Sequence, residues 1–141
     1  MQGAKRPLGE NTILKESVEA LRRIGFLQHV RLVPPSQQGT DGKLQLKGEW
    51  GAAAYMVEVQ PKLSESALPG LSHRFRQQPP ERRLLVTSYV PPALAEQLQE
   101  RRIEFLDAAG NAYLDRPIYL FVFGTKPKHR PISPVPAGRA R

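Results

Sequence analysis

One short segment of this chain combines residue types that could do metal chemistry. It reads Tyr55-Met-Val-Glu58-Val-Gln60-Pro-Lys62. An acid, one spacer and a lysine form half of a divalent-metal nuclease site, because the acid coordinates Mg²⁺ and the lysine positions or activates the attacking water. Here Gln60 stands at the lysine position, and its amide can hydrogen-bond a water but carries no positive charge. Lys62 follows on the same strand face, beyond Pro61, and is the substitute cation.

A metal site of this kind needs a second acid from the preceding strand or loop. The candidates are Asp41, in a glycine-flanked loop, and Glu49, in a turn. The alternative interpretation, which spacing alone favours, is that Glu58 is simply a polar residue on a half-exposed strand. Mg²⁺ is therefore expected only if the chain is a nuclease, and no other metal or cofactor is predicted.

Basic residues indicate a second kind of site, one that contacts phosphates. The formal net charge is +8, and the segment Thr125–Arg141 contains five Lys and Arg residues and no acid. A smaller basic cluster surrounds Phe75. The predicted nucleic-acid contacts are Arg74 and Arg76 in that cluster, and Lys126, Lys128 and Arg130 in the tail. The alternatives are a solvated tail and a core phenylalanine whose neighbouring arginines face solvent.

A polar run, Asp107-Ala-Ala-Gly110-Asn111, carries a strong turn signal. Gly and Asn both tolerate positive φ, and an Asp side chain readily binds the backbone of such a turn. We therefore expect Asp107, Gly110 and Asn111 to form a hairpin turn, with Asp107 bonded to its backbone. The alternative is that the Asp107 or Asn111 side chain binds a ligand.

Composition excludes several other reaction classes. Cysteine is absent, which excludes thiol catalysis, thiolate metal sites and disulfides. The phosphate-binding, dinucleotide-binding, nucleophile-elbow and zinc-spacing motifs are all missing, and the three histidines lie far apart in the sequence. No apolar run approaches the ~18 residues that a membrane span requires. We therefore expect a cytoplasmic protein that does not contact membranes.

Periodicity and turn residues predict a flexible leader over residues 1–10, a single α/β domain over 11–124 and a disordered, proline-rich basic tail over 125–141. The element order is α-β-β-β-α-β-α-β-β, which is typical of a mixed central sheet with flanking helices. Asn11 is the expected N-cap of the first helix, Asn11–Ile24, and Ala93–Arg102 forms another. Helical spacing turns Leu14, Val18 and Leu21 toward the core, and alternation in Lys43–Lys47 turns Leu44 and Leu46 inward and the two lysines outward. The predicted core residues are Leu14, Val18, Leu21, Leu46, Val57, Leu85, Leu94, Leu98, Phe105 and Leu120. Segment 64–78 is ambiguous, because Pro69-Gly70 interrupts a helical pattern. The predicted strands are Val30–Val33, Lys43–Lys47, Ala52–Gln60, Leu84–Tyr89, Ile103–Leu106 and Ile118–Phe123, with Ala112–Leu114 as a further pairing segment.

Four stretches of the chain resemble a bacterial family, the AbiEi-like antitoxins of type IV toxin–antitoxin systems, in the subgroup with a restriction-endonuclease-like N-terminal domain. The stretches are Tyr55–Val59, Leu84–Leu98, Ile103–Leu114 and Ile118–Gly124. The most specific of them is Phe105-Leu-Asp-Ala-Ala-Gly-Asn-Ala-Tyr113, and the resemblance spans about residues 11–124.

The resemblance implies a restriction-endonuclease-like α-β-β-β-α-β core and a DNA-linked regulatory role, with a cognate toxin as a possible protein partner. In longer members a winged-helix domain follows the proline-rich segment, and Gly138–Arg141 resembles the approach to that domain. Gln60 replaces the lysine that the family carries after the strand acid. We therefore expect a non-catalytic regulatory or binding module that contacts DNA through weak electrostatic contacts. The alternatives are a degenerate Mg-dependent PD-(D/E)xK nuclease and a protein-interaction scaffold.

Overall fold

The computed structural model describes residues 8–35, 41–76, 82–115 and 119–124. Its helices are α1 (Leu8–Arg22), α2 (Leu68–Arg76) and α3 (Pro92–Glu100), and a short 3-10 helix, Glu65–Ala67, leads into α2. The strands are β1 (His29–Val33), β2 (Lys43–Gly48), β3 (Gly51–Gln60), β4 (Arg82–Thr87), β5 (Phe105–Asp107), β6 (Ala112–Leu114) and β7 (Leu120–Val122).

The seven strands form one mixed sheet in sequence order, from β1 at one edge to β7 at the other. The first three strands form an antiparallel meander, and β3, β4 and β5 run parallel because α2 and α3 return the chain between them. The last two pairs are again antiparallel. The predicted mixed α/β class is therefore confirmed. The sheet ends in three strands where two were predicted, since Ala112–Leu114 pairs on both sides.

Each face of the sheet carries its own core. Side chains of α1 pack on one face, with alternate residues of six strands, and α2 and α3 pack on the other face against Leu85, Phe105 and Tyr113. The alternation follows from the two-residue period of a strand, which turns Leu84 and Leu85 to opposite faces. All ten predicted core residues are buried: Leu14, Val18, Leu21, Leu46, Val57, Leu85, Leu94, Leu98, Phe105 and Leu120.

Two helices differ from their predicted bounds. Helix α1 begins at Leu8, so residues 8–10 are helical and do not belong to a leader, and Asn11 is not the N-cap. Glu10 then lies in the first turn, where its charge complements the helix dipole. In the ambiguous segment, α2 forms with Pro69 and Gly70 in its first turn. Proline is tolerated there because the first-turn N–H groups have no partner within the helix.

Several strand bounds also shift. Strand β4 begins two residues earlier than predicted and ends at Thr87, and the described part of β7 is shorter than predicted. Strand β5 begins at Phe105, because Ile103 instead closes α3: its N–H donates to the Leu98 carbonyl at 2.9 Å. That closure places Arg102 in the left-handed region, with φ 59°.

The first seven residues and the predicted disordered tail, 125–141, lie outside the described residues. Among the residues that are described, no helix has the length and apolar character needed to cross a membrane.

Candidate functional site

A β-bulge brings Asp41 beside the C-terminal half of β3, the strand that carries Glu58. The Asp41 N–H donates to the Val57 carbonyl at 2.8 Å, and the Val57 N–H donates to the Gly42 carbonyl at 2.9 Å, so two residues face one. Gly42 accommodates the bulge with φ 141°. The Asp41 carboxylate accepts a hydrogen bond from the Val59 N–H at 2.9 Å. Asp41 therefore lies beside the Glu58 strand, and one of its oxygens is bonded to the backbone of that strand.

The Glu58 carboxylate is held by cations from two other elements. Arg74 of α2 donates to Glu58 Oε2 at 2.5 Å, and the Arg83 guanidinium of β4 lies 4.0 Å from Oε1. The Gln60 amide donates to Oε2 at 2.8 Å. The Glu58 side chain is 15% exposed. This carboxylate thus has a partly buried position in which protein cations already balance its charge.

The other nuclease candidates do not complete a metal site. Lys62 lies past the end of β3 with an exposed side chain. Glu49 lies in the β2–β3 turn, at the opposite end of β3, and the strand from Gly51 to Glu58 alone spans about 23 Å. Within the described ranges, no group of three His, Asp or Glu side chains is arranged to hold a metal ion.

The Asp107 turn is a closed hydrogen-bonded unit between β5 and β6. Oδ1 accepts from the N–H groups of Ala109 and Asn111, both at 2.9 Å. Oδ2 accepts from the Val90 N–H at 2.9 Å and the Asn111 amide at 2.8 Å. Burial raises the pKa of Asp107, and these hydrogen bonds act in the opposite direction. The carboxylate therefore has the backbone-binding role that the turn signal predicts, and both of its oxygens are engaged.

The structure places the predicted phosphate-contacting residues in different environments. Arg74 is paired with Glu58, as described above, whereas Arg76 ends α2 with an exposed side chain. Lys126, Lys128 and Arg130 lie outside the described residues. Phe75 is buried in the core beneath α2, which was the alternative interpretation of this cluster.

A buried polar network on the α1 face was not foreseen. The hydroxyl of Tyr55 donates to Glu104 Oε1 at 2.9 Å, Arg82 pairs with Glu104 Oε2, and the Asp115 N–H donates to Oε1 at 3.0 Å. The Arg82 guanidinium also lies 5.2 Å from the centre of the Tyr55 ring. Burial and the Glu104 charge raise the pKa of Tyr55 well above its usual range. The network balances charge at the start of β4 and β5, and sequence gave no signal for it, because its members are far apart in the chain.

A second unforeseen feature is a basic surface on the three-stranded meander, which none of the described helices covers. Cross-strand register sets His29 opposite Lys47 and Arg31 opposite Gln45, on the face that does not contact α1. We call this surface the basic face and define it by His29, Arg31, Lys43 and Lys47. Alternation in β2 had marked Lys43 and Lys47 as facing away from the core, but only the pairing with β1 adds the other two.

The described residues taken together are close to electrically neutral. It contains 13 Lys and Arg residues and 12 Asp and Glu residues, so most of the +8 net charge belongs to segments outside the description. Local concentration of charge, rather than total charge, therefore distinguishes the basic face.

Comparison of this chain with protein-family models, with curated proteins and with solved structures found no match.

Proposed function

We propose that this chain is a non-catalytic regulatory module that binds nucleic acid, related to the N-terminal domain of type IV antitoxins. The observation that carries the non-catalytic part is the pairing of Glu58 with Arg74 and Arg83. A carboxylate that is already ion-paired with guanidinium groups attracts a divalent metal less strongly than an unpaired one.

The electrostatics of phosphodiester cleavage support this assignment. Cleavage builds negative charge at phosphorus, and a metal held by carboxylates plus a nearby cation stabilises that charge. Glu58 is ion-paired with Arg74, Asp41 is bonded to the Val59 backbone, and the cation position holds Gln60. Loss of one such stabilising group costs about 10²–10³ in rate, if the oxyanion-donor scale applies, and here more than one is compromised.

A restriction-endonuclease-like core is the finer part of the proposal. The chain supports it through the order α1-β1-β2-β3-α2-β4, which reproduces α-β-β-β-α-β, and through the position of Glu58 near the end of the third strand. The mixed sheet alone is compatible with other α/β architectures, so the proposal depends on that order together with the resemblance.

A cleavage assay tests the non-catalytic assignment. Supercoiled plasmid is incubated with the purified full chain and Mg²⁺ or Mn²⁺, in parallel with Glu58→Gln and Gln60→Lys. We expect no metal-dependent cleavage from any of the three proteins. Cleavage by the wild type that disappears in Glu58→Gln would refute the assignment and make Lys62 the substitute cation. A gain of cleavage in Gln60→Lys would favour a degenerate nuclease built on Asp41 and Glu58, in which position 60 lacks its cation.

A protein-interaction role is the second candidate, and one observation favours it. The edge strand β7 and the residue before it carry exposed aromatic side chains: Phe121 is 40% exposed and Tyr119 is 60% exposed. Phe121 also stacks on Phe123, with ring centres 6.0 Å apart. Co-purification with a nucleotidyltransferase-like protein encoded by an adjacent gene, lost in Phe121→Ser, would favour this role and identify the partner as a toxin.

A further inference from the structure

The basic face is a regular array because strand pairing sets its spacing. Neighbouring strands lie about 4.8 Å apart, and residues two apart on a strand are separated by about 6.6 Å. Lys43 and Lys47 of β2 therefore span about 13 Å, with His29 and Arg31 on the adjoining strand. His29, Arg31 and Lys47 are thus exposed side by side on one surface, with the partly buried Lys43 at its edge.

The helix layer leaves this surface open. The core beneath α2 and α3 includes residues of β4, β5 and β6, and no described residue of β1 or β2 contributes to it. The third strand of the meander presents Ala52 opposite Lys47 and Ala54 opposite Gln45. His29, Arg31, Gln45, Lys47 and Ala52 are all exposed. Small side chains beside the long basic ones allow a bulky ligand to approach the sheet.

The acids that the structure describes around the basic face lie at its two ends. Glu49 is in the β2–β3 turn, and Glu58 lies beyond the last row with its charge balanced by Arg74 and Arg83. Asp41 is in the bulge beside Glu58, where its carboxylate accepts from the Val59 N–H. Between these ends, the rows formed by β1, β2 and β3 contain no acidic residue on this face. The charge pattern is therefore complementary to a polyanion lying across the strands.

We propose that the basic face binds the sugar-phosphate backbone of duplex nucleic acid, and this inference rests on the proposed nucleic-acid-binding function. Duplex is favoured over single strands because the strand positions of this face contain no Phe, Tyr or Trp. Single-strand binding surfaces typically combine a basic groove with aromatic side chains on which bases stack. A surface of cations without such a platform contacts phosphates and does not read bases.

Fluorescence anisotropy with a labelled duplex of about 20 base pairs tests the site through its salt dependence. The full chain is compared with Arg31→Gln/Lys47→Gln and with a matched control, Lys15→Gln/Arg23→Gln. The control removes the same charge from two exposed positions, Lys15 in α1 and Arg23 directly after it, on the other side of the sheet. Circular dichroism melts establish that both double variants are folded.

Each phosphate contact contributes about −0.9 to the slope of log K against log salt concentration. Arg31→Gln/Lys47→Gln should therefore reduce the slope by about 1.8, whereas the control should leave it unchanged. Between 50 and 200 mM salt, the wild type then loses about 12-fold more affinity than this variant. Because the wild type and both variants have the same basic tail, its contribution to the slope cancels when their slopes are compared.

Three results would overturn the inference in distinguishable ways. If the wild type binds duplex and the two double variants have equal slopes, the basic face is not the site, but the nucleic-acid-binding function stands. If an unpaired strand of the same length binds more tightly than the duplex, the ligand class is wrong. If the wild type binds neither at low salt, both the site and the proposed function fail.

Discussion

Removal of the Asp107 carboxylate should be among the most destabilising single changes in this domain. The two oxygens accept four hydrogen bonds, three from backbone N–H groups and one from the Asn111 amide. Asp107→Ala leaves all four donors without that acceptor. The side chain is 1% exposed, so water does not readily replace it.

The magnitude follows from two opposing contributions. An unsatisfied buried donor costs about 1–3 kcal/mol, which for four donors gives roughly 4–12 kcal/mol. Relief from burying a charge offsets several kcal/mol of that cost. We therefore expect Asp107→Ala to lower the free energy of unfolding by about 3–4 kcal/mol, a large part of the 5–15 kcal/mol typical of a domain. Asp107→Asn retains one acceptor oxygen and should lose about half as much.

Urea unfolding followed by circular dichroism measures both effects. The control is Glu96→Gln, which removes an acid from an exposed position of α3 and should change stability by less than about 0.5 kcal/mol. The expected order of stability is wild type and Glu96→Gln, then Asp107→Asn, then Asp107→Ala. If Asp107→Ala unfolds within 0.5 kcal/mol of the wild type, the turn does not depend on this carboxylate and the reasoning is wrong.

Two further predictions concern packing. Leu98→Ala should lower the free energy of unfolding by about 2–5 kcal/mol in the same urea assay, because the side chain is fully buried between α3 and the sheet. Gly48→Ala should destabilise by about 1–3 kcal/mol and alter Trp fluorescence, because a Cβ there would lie 2.4 Å from the Trp50 indole nitrogen. Its control is Gly25→Ala, whose new Cβ would have no neighbour within 4 Å and which should retain the wild-type emission.

Sequence patterns correctly predicted the features whose contacts join residues close together in the chain. The Leu14, Val18 and Leu21 spacing identified the buried face of α1, and the alternation around Leu44 and Leu46 identified β2. The Asp107 turn was equally accessible, because its donors lie within a few residues, apart from Val90.

Long-range pairing explains most of what sequence alone did not provide. The ion pairs of Glu58 join residues of α2 and β4 to β3, and no spacing rule connects those segments. The basic face likewise depends on the pairing of β1 with β2, which is set by the topology of the whole sheet. Helix α2 could not be predicted firmly, because Pro69 and Gly70 interrupt its helical pattern. In the structure, packing of Leu71 and Phe75 against the sheet stabilises the helix.

Amide chemical-shift mapping by NMR tests the central claim most directly. The full chain, labelled with ¹⁵N, is titrated with duplex DNA at low salt in the presence of Mg²⁺, and the recovered DNA is examined for breaks. We expect shifts concentrated at His29, Arg31, Lys43 and Lys47, with the DNA intact. The absence of shifts at low salt would contradict the binding function, and broken DNA accompanied by shifts around Glu58 would contradict the non-catalytic assignment.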